Sequence, residues 1–234
     1  MLRHNPGTHP AVLPVGFAFS LRRQVPSPRR VSVYVDGFNL YYGLLKPSPA
    51  IKWLDLSALA TALRPAAVTT VRYFTARVRP VPDPGSAQRQ RLYLRALETL
   101  PNVTVHLGHF SVHPSRMALT HPRPGGPRTV EVHKTEEKGS DVNLATALLL
   151  DGLDGLYDEA IVISGDSDLV EPIRQANVRF GPVHVLNPRK RHSDLAGAAA
   201  SYAQLNPALV PRCQLPNVVT LASGRTITRP VEYQ

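Results

Sequence analysis

The sequence predicts an α/β domain in which helices cover both faces of a mainly parallel central sheet, a three-layer α/β/α arrangement. Strand-like and helix-like segments alternate along the chain, as right-handed βαβ crossovers require. The β-branched run Ile161–Ile163 has the continuous apolar character of a buried central strand. Of the 234 residues, 43% are hydrophobic, which is enough for one domain with a substantial core.

The first half of the chain alternates strand and helix signals. Residues 31–36 form a strand-like run, and the helix predicted for residues 40–45 follows it directly. A second, short helix begins near Asp55 or Ser57, since both residue types are favoured N-caps. From Val68 the β-branched sequence VTTVRYFTARV predicts another strand. The segment SAQRQRLYLRALETL predicts a helix, because its apolar residues recur at helical spacing.

The second half continues the alternation after one long connector. A predicted strand over residues 102–110 leads into a connector over residues 111–129, rich in Pro, Gly, Arg and His, which we expect to project and move. The elements predicted after it are a short strand over 129–133, a helix from Asp141, a strand over 160–163, a helix over 169–179, a strand over 183–186 and a helix over 193–204.

Two tails flank the predicted domain. Residues 1–30 carry five prolines and five arginines without periodicity, which predicts a flexible basic extension. The domain then covers residues 31–205. An extended C-terminal tail covers residues 206–234 and forms either a small hairpin or a strap along the domain.

Charge and cysteine content restrict the partners and the compartment. The chain has 27 Lys and Arg residues against 17 Asp and Glu residues, and the net charge of +10 favours polyanions, nucleic acid first. Because Cys213 is the only cysteine, neither an intramolecular disulfide nor a cysteine-based zinc site can form. We expect a soluble cytoplasmic protein without a signal peptide, since no run approaches the roughly 18 apolar residues of a membrane span.

Aspartates follow two predicted strands and begin one predicted helix. Asp36 ends the first strand, Asp166 and Asp168 follow the strand over 160–163, and Asp141 falls in the first turn of a helix. Ligands of such sheets bind at the carboxyl ends of the strands. Two charges about 4 Å apart repel by roughly 4 kcal/mol at an effective dielectric near 20, so the acids must share a proton or hold a cation. A basic chain with an acidic pocket favours Mg²⁺ or Mn²⁺, which can polarise a phosphodiester and activate water.

Three segments, VYVDGFNLYYG, EEKGSDVNLA and VISGDSDLVEPIRQA, occur in this order across residues 31–204. Together they resemble the signature blocks of the NYN-domain family of PIN-like metal-dependent ribonucleases. The resemblance implies a PIN-like fold and endonucleolytic cleavage of RNA at a pocket that binds one or two divalent ions.

The resemblance also implies roles for individual residues. By motif position, Asp36, Asp141 and Asp166 look like the metal-binding acids, and Asp168 looks like an auxiliary acid that binds a second ion or orients water. Asn39 matches the polar residue after the first acid and holds a ligand or the scissile phosphate through its amide. All five residues are therefore candidates for the catalytic site.

Candidate RNA-binding residues lie beside these acids. Ser164 is expected to tie the pocket together and to contact RNA, and Lys138 is expected to offset phosphate charge near a helix N-terminus. The basic run that contains Arg189, Lys190 and Arg191 follows the strand over 183–186 and is expected to hold the RNA backbone.

One departure from the family pattern concerns the end of the predicted domain. Ser193, Asp194 and Leu195 match a block of bacterial relatives, but Ala200 stands where a later acid is expected. This departure puts one peripheral contact in doubt and leaves the four aspartates intact.

Three aromatic residues near the first motif are candidates for base stacking. Tyr41, Tyr42 and Trp53 could each stack on an unpaired base, although packing in the core is expected for at least one of them.

Two other functions stay open at this stage. The first is a non-catalytic RNA-binding or regulatory module, in which RNA affinity would survive loss of metal and of Asp166. The second is hydrolysis of a small phosphate ester through an aspartyl-phosphate. Against it, the segment from Asp36 to Asn39 lacks the second acid that such enzymes carry two residues on. RNA is the expected partner, no membrane is expected, and a homodimer is left open.

Overall fold

A seven-stranded sheet organises the chain. The computed structural model describes residues 27–78, 83–191 and 193–234, so residues 1–26 of the predicted basic extension lie outside the described residues. The sheet strands are β1 (Arg30–Asp36), β2 (Val68–Ala76), β3 (Val103–Ala118), β4 (Thr129–Lys138), β5 (Glu159–Ile163), β6 (Val183–Asn187) and β7 (Ser201–Gln204). Their order is β4-β3-β2-β1-β5-β6-β7, and every neighbouring pair is parallel except β3 and β4.

Helices connect the parallel strands. They are α1 (Gly37–Leu40), which continues into a π-helical turn over Tyr41–Leu45, α2 (Leu56–Leu63), α3 (Pro84–Leu97), α4 (Ser140–Leu153) and α5 (Val170–Arg179). None of the helices in the described part of the chain combines the length and the hydropathy needed to cross a membrane. The predicted α/β fold with a mainly parallel central sheet is confirmed.

Two hydrophobic clusters, one on each face of the sheet, make the fold three-layered. The alternation of β1 shows the division, because Val33 and Val35 pack with α2 and α3, whereas Tyr34 packs with α4 and α5. Trp53 is fully buried in the first cluster. Packing in the core is therefore the role of this aromatic residue.

The register of β1 and β5 sets the position of the candidate site. Val35 lies opposite Ile163 in this parallel pair, so Asp36 and Ser164, the next residue of each strand, leave the sheet side by side. Parallel strands end at one edge, and α1 and a 3₁₀ turn over Ser167–Leu169 begin there.

The prediction of an irregular connector over residues 111–129 is wrong for residues 111–118, which belong to a strand. Strand β3 continues to Ala118 and pairs antiparallel with β4 from His109 to Ala118, leaving a loop over residues 119–128. Beyond Gly108, β4 is the partner of β3 in the described pairing, so this part is a two-stranded ribbon. Such a ribbon tolerates Pro114, because a strand with one open side can lose an N–H donor there.

The predicted helix over residues 193–204 is also wrong. The chain makes a 3₁₀ turn over Asp194–Gly197 and then forms β7, which pairs with the free edge of β6. Hydrogen bonds to an available strand outweigh the helix propensity of the alanine-rich sequence here. The side-chain amide of Asn187 donates to the Tyr202 hydroxyl (2.8 Å) and helps to hold the two strands together.

The C-terminal segment packs on the domain. It contains a 3₁₀ segment over Pro207–Arg212 and a hairpin of β8 (Val218–Thr220) and β9 (Thr226–Thr228), so the hairpin considered above is present. Leu215, Val219 and Ile227 are buried in the first cluster. The Trp53 indole N–H donates to the carbonyl oxygen of Pro216 (2.9 Å).

A partly buried ion pair joins α4 to the sheet. Asp151 accepts two hydrogen bonds of 2.6 Å from the Arg72 guanidinium and one of 2.8 Å from the Tyr34 hydroxyl. Asp151 is 6% exposed and Tyr34 is fully buried. Since α4 also carries Asp141, this network fixes the helix that brings the third acid to the site.

We predict that Asp151→Ala destabilises the protein by roughly 3 kcal/mol, because it leaves a partly buried guanidinium and a fully buried hydroxyl without their partner. Urea unfolding followed by circular dichroism measures the change. The matched control is Asp154→Ala at the exposed end of α4, which should change stability by less than about 0.5 kcal/mol. Equal effects of the two substitutions would contradict this account of the network.

Candidate functional site

Three aspartates meet at the carboxyl edge of the sheet. Asp36 ends β1, Asp166 follows β5, and Asp141 lies in the first turn of α4. One carboxylate oxygen from each residue lies within 4.8 Å of the other two. We refer to these three residues as the acid cluster.

Hydrogen bonds fix the innermost acid. Asp36 is 2% exposed. Its carboxylate accepts from the Asn39 backbone N–H (2.9 Å), the Asn39 side-chain amide (2.6 Å) and the Ser164 hydroxyl (2.8 Å). The pKa of Asp36 is raised above its usual value, chiefly by burial and also by the nearby charge of Asp166. The three hydrogen bonds oppose this rise. The carboxylate is therefore held in one orientation.

Asn39 and Ser164 connect the two strand ends. The Ser164 hydroxyl accepts from the Asp166 backbone N–H (3.1 Å), and the Asn39 side-chain oxygen accepts from the Gly165 backbone N–H (3.3 Å). Asn39 is buried, and Ser164 is fully buried with its hydroxyl bonded to the Asp36 carboxylate and to the Asp166 backbone N–H. Ser164 therefore has no surface with which to contact RNA, and this part of its prediction is corrected.

Asp168 and Lys138 lie at the rim rather than in the acid cluster. Asp168 is exposed, and its backbone N–H donates to the Asp166 carboxylate (3.0 Å). Lys138 is an exposed residue whose ammonium pairs with Glu136 (3.1 Å). A lysine already paired with a carboxylate is a weaker candidate for phosphate binding than the sequence suggested.

Two glycines shape the backbone beside the acids. At Gly37, a Cβ atom would come within 2.7 Å of the Tyr73 hydroxyl, so only glycine allows the turn from β1 into α1 to pass so close to β2. Gly139 has φ of 97°, a left-handed conformation that favours glycine, and it directly precedes α4. This turn sets the direction in which Asp141 enters the site.

The pKa of Asp141 is raised well above its usual value. Burial raises its pKa to about 7, with further contributions from the charges of Asp36, Asp166, Glu137 and Asp168. Glu137 was not predicted as a site residue from the sequence, although it lies four residues before Asp141 in the same motif. Its carboxylate accepts from the Ser140 backbone N–H (3.2 Å) and so supports the start of α4.

The donor set fits a hard divalent cation. Carboxylate oxygens are the ligands that Mg²⁺ and Mn²⁺ prefer, and three separate elements supply them here. No cationic side chain forms an ion pair with Asp36, Asp141 or Asp166 within the described residues. A divalent ion would offset the repulsion between these carboxylates, which adds to burial in raising the pKa of Asp141.

Two cavities share Tyr42, and the first is lined by a residue adjacent to the acid cluster. The first, the aromatic cavity, has a volume of about 520 Å³ and begins at Gly37, the residue after Asp36. The second is a shallower cavity of about 590 Å³, lined by Tyr42, Gly43 and the basic run Arg189–Arg191. Tyr42 is 54% exposed and Tyr41 is half-buried, so both remain available for stacking, unlike Trp53.

We predict that Asp141→Asn stabilises the metal-free protein increasingly as the pH rises. The folded-state pKa of Asp141 is about 7 against an unfolded value of 3.8, so the folded state binds the proton more tightly. Ionisation therefore costs stability as the pH rises from about 4 to about 7, and asparagine avoids that cost.

Thermal unfolding of both proteins in the presence of chelator, at several pH values, measures this difference. The advantage of Asp141→Asn should grow up to about pH 7 and then level off. A difference independent of pH would contradict the stated position of Asp141.

Comparisons with known proteins agree with the family signature. A sequence profile of the NYN domain matches residues 30–206. The chain is 30% identical to 6-hydroxy-3-succinoylpyridine 3-monooxygenase HspA of Pseudomonas putida, in a match that covers 85% of this chain and 74% of that protein.

A solved structure shares the fold. The crystal structure of a protein of unknown function from Vibrio parahaemolyticus superimposes with a TM-score of 0.52 at 17% identity, covering 78% of this chain and 96% of that chain. This likeness concerns the fold alone. With the profile match extending over more than half of its length, the chain belongs to the NYN-domain family of PIN-like nucleases.

Proposed function

We propose that this protein is a divalent-metal-dependent endoribonuclease that hydrolyses RNA phosphodiester bonds. The acid cluster carries the proposal, since three carboxylates from three elements converge within 4.8 Å. Membership of the NYN family supports it, because NYN nucleases act on RNA and generally use divalent metals.

Each residue of the site has a role in this proposal. Asp36, Asp141 and Asp166 hold Mg²⁺ or Mn²⁺, which when bound polarises the scissile phosphate and lowers the pKa of the attacking water. Asn39 fixes the orientation of Asp36 through the two hydrogen bonds that it donates. Asp168, exposed at the rim, orients water or accepts its proton.

The basic run supplies the electrostatic surface for the RNA backbone. Arg189, Lys190 and Arg191 are exposed, and none of them pairs with a carboxylate in the described ranges. The run lies beside Tyr42, so a strand that crosses the acid cluster can place adjacent phosphates on it. Lys138 contributes in the same way only if its pairing with Glu136 opens.

A second candidate is oxygenation of a small heteroaromatic compound. The relative named as a monooxygenase favours it, together with the enclosed cavity next to the acid cluster. Incubation with a hydroxypyridine, O₂ and a reduced nicotinamide cofactor separates the two candidates. Substrate-dependent consumption of O₂ without RNA cleavage would favour the oxygenase.

Two expectations from the sequence stay predictions. We place the activity in the cytoplasm, a proposal supported by the single, free and buried Cys213. Formation of a homodimer is the second of these predictions.

We predict that the purified protein cuts labelled single-stranded RNA with Mg²⁺ or Mn²⁺ and that chelator abolishes cutting. Asp166→Asn should lower the cleavage rate on the order of 10²-fold or more, because it removes one of the three carboxylates proposed to hold the divalent ion. Asp154→Asn, at the other end of α4, is the matched control and should retain the wild-type rate.

Gel electrophoresis of the fragments reports the outcome. RNA binding without fragments, unchanged by metal or by Asp166→Asn, would replace the nuclease with the non-catalytic RNA-binding module.

We also predict that the basic run contributes salt-dependent RNA affinity. Arg189→Gln and Arg191→Gln should each weaken binding across RNA sequences and lower the slope of log affinity against log salt concentration by about 1. Fluorescence anisotropy with chelator present measures this slope. Arg95→Gln removes the same charge from the exposed face of α3 and should leave the slope unchanged; equal slopes for all three variants would exclude the basic run as the RNA surface.

A further inference from the structure

We propose that the aromatic cavity beside the acid cluster binds a planar heteroaromatic ring that carries an anionic group. This inference goes beyond the proposed function, since it holds whether the ring belongs to a nucleotide of RNA or to a small molecule. It rests on the walls of the cavity, its charges and its position.

Aromatic rings form the walls of the cavity. The rings of Phe38 and Tyr42 are stacked with centroids 6.5 Å apart and planes inclined by 20°. Phe110 of β3 meets Phe38 edge to face at 6.0 Å, and Tyr41 meets Tyr42 in the same way at 5.3 Å. Tyr42 is 54% exposed, so a large part of its side chain is accessible to a ligand. Flat rings on such walls stack favourably with an aromatic ligand.

Two lysines give the cavity an unpaired positive charge. The Lys46 ammonium lies 4.8 Å from the centre of the Tyr42 ring, and the Lys52 ammonium lies 5.6 Å from that of Tyr41. Neither lysine forms an ion pair with a carboxylate in the part of the chain that the structure describes. Both cations are therefore available to an anionic group on the ligand.

A third cation in the cavity, Arg89, is paired with two carboxylates, so the charged residues that line the cavity have a formal net charge of +1. Arg89 pairs with Asp83 and, at 3.0 Å, with Glu232. Burial lowers the pKa of Lys52, and the charges of Arg89 and Lys46 lower it further. A bound anion would relieve the repulsion between Lys52 and these two cations. This agrees with the positive charge deduced from the absence of ion pairs to Lys46 and Lys52.

The position of the cavity connects it to the acid cluster. Gly37 lines the cavity and directly follows Asp36, and Tyr73 of β2 lies against Gly37 at the same end. The cavity therefore adjoins the residue next to the innermost acid. Its volume of about 520 Å³ falls within the range of small-molecule sites.

This ligand chemistry has two sources that the experiment separates. One is an unpaired nucleotide of RNA, whose base enters the cavity while its phosphates approach the lysines and the acid cluster. The other is a free heteroaromatic acid, the class of compound in the name of the Pseudomonas relative. We therefore use AMP and 3-succinoylpyridine as probes, with adenosine as the uncharged counterpart of AMP.

Isothermal titration of the full chain in the presence of chelator tests the proposal. At least one anionic probe should bind, and Tyr42→Ala should weaken it about 10-fold through loss of stacking, whereas Tyr42→Phe retains the affinity. Lys52→Met should weaken the binding of AMP but not that of adenosine. Lys52→Arg should bind AMP with the affinity of the wild type. Arg95→Gln removes a cation outside the cavity and should change neither probe.

The outcomes also separate this site from the nuclease reaction. Selective binding of AMP assigns the cavity to a nucleotide, and selective binding of 3-succinoylpyridine assigns it to a small acid. Failure of both probes to bind, or affinity that is unchanged in Tyr42→Ala and Lys52→Met, would overturn the proposal. RNA cleavage without probe binding refutes this inference alone, and probe binding without RNA cleavage refutes the nuclease alone.

Discussion

The mutual repulsion of three carboxylates at one sheet edge is the constraint on which the site depends. The parallel register of β1 and β5 brings Asp36 and Ser164 out of the sheet together, and α4 adds Asp141 from the side. Hydrogen bonds from Asn39 and Ser164 hold Asp36 in place without neutralising it. The fold therefore places three acidic groups where a divalent cation would offset their mutual repulsion, and burial together with that repulsion raises the pKa of Asp141.

The surroundings of this acidic centre complement it. The aromatic cavity with Lys46 and Lys52 adjoins the residue after Asp36, and its Tyr42 also lines the cavity formed by the basic run Arg189–Arg191. Cationic groups near a centre that holds a metal can bind the phosphates of a substrate, while the rings can hold a base or another heterocycle. The same arrangement would thus suit either of the two proposed ligands, an RNA strand or a small aromatic anion. This ambiguity is consistent with a relative at 30% identity that is named for a pyridine substrate.

The sequence predicts the centre of the fold and of the site better than their margins. Buried strands such as β5 and the acids that follow them are local features, since apolar runs and adjacent carboxylates stand together in the chain. Strand β7 was predicted as helix because its alanine-rich sequence favours one, and only the open edge of β6 makes it a strand. The ribbon of β3 and β4 was not predicted, because Pro114 and the polar residues around it are untypical of a strand. The aromatic cavity was missed for a similar reason, because Phe38 and Phe110 meet only once the sheet has formed.

The account depends most directly on whether the acid cluster holds a divalent ion. Isothermal titration of Mn²⁺ into the wild-type protein and into Asp36→Asn, at a pH above the Asp141 pKa of about 7, measures this without any assumption about the substrate. We predict saturable binding to the wild type that weakens by at least about 10-fold in Asp36→Asn and is unchanged in the control Asp154→Asn. No saturable binding to the wild type, or equal affinity in all three proteins, would contradict the account.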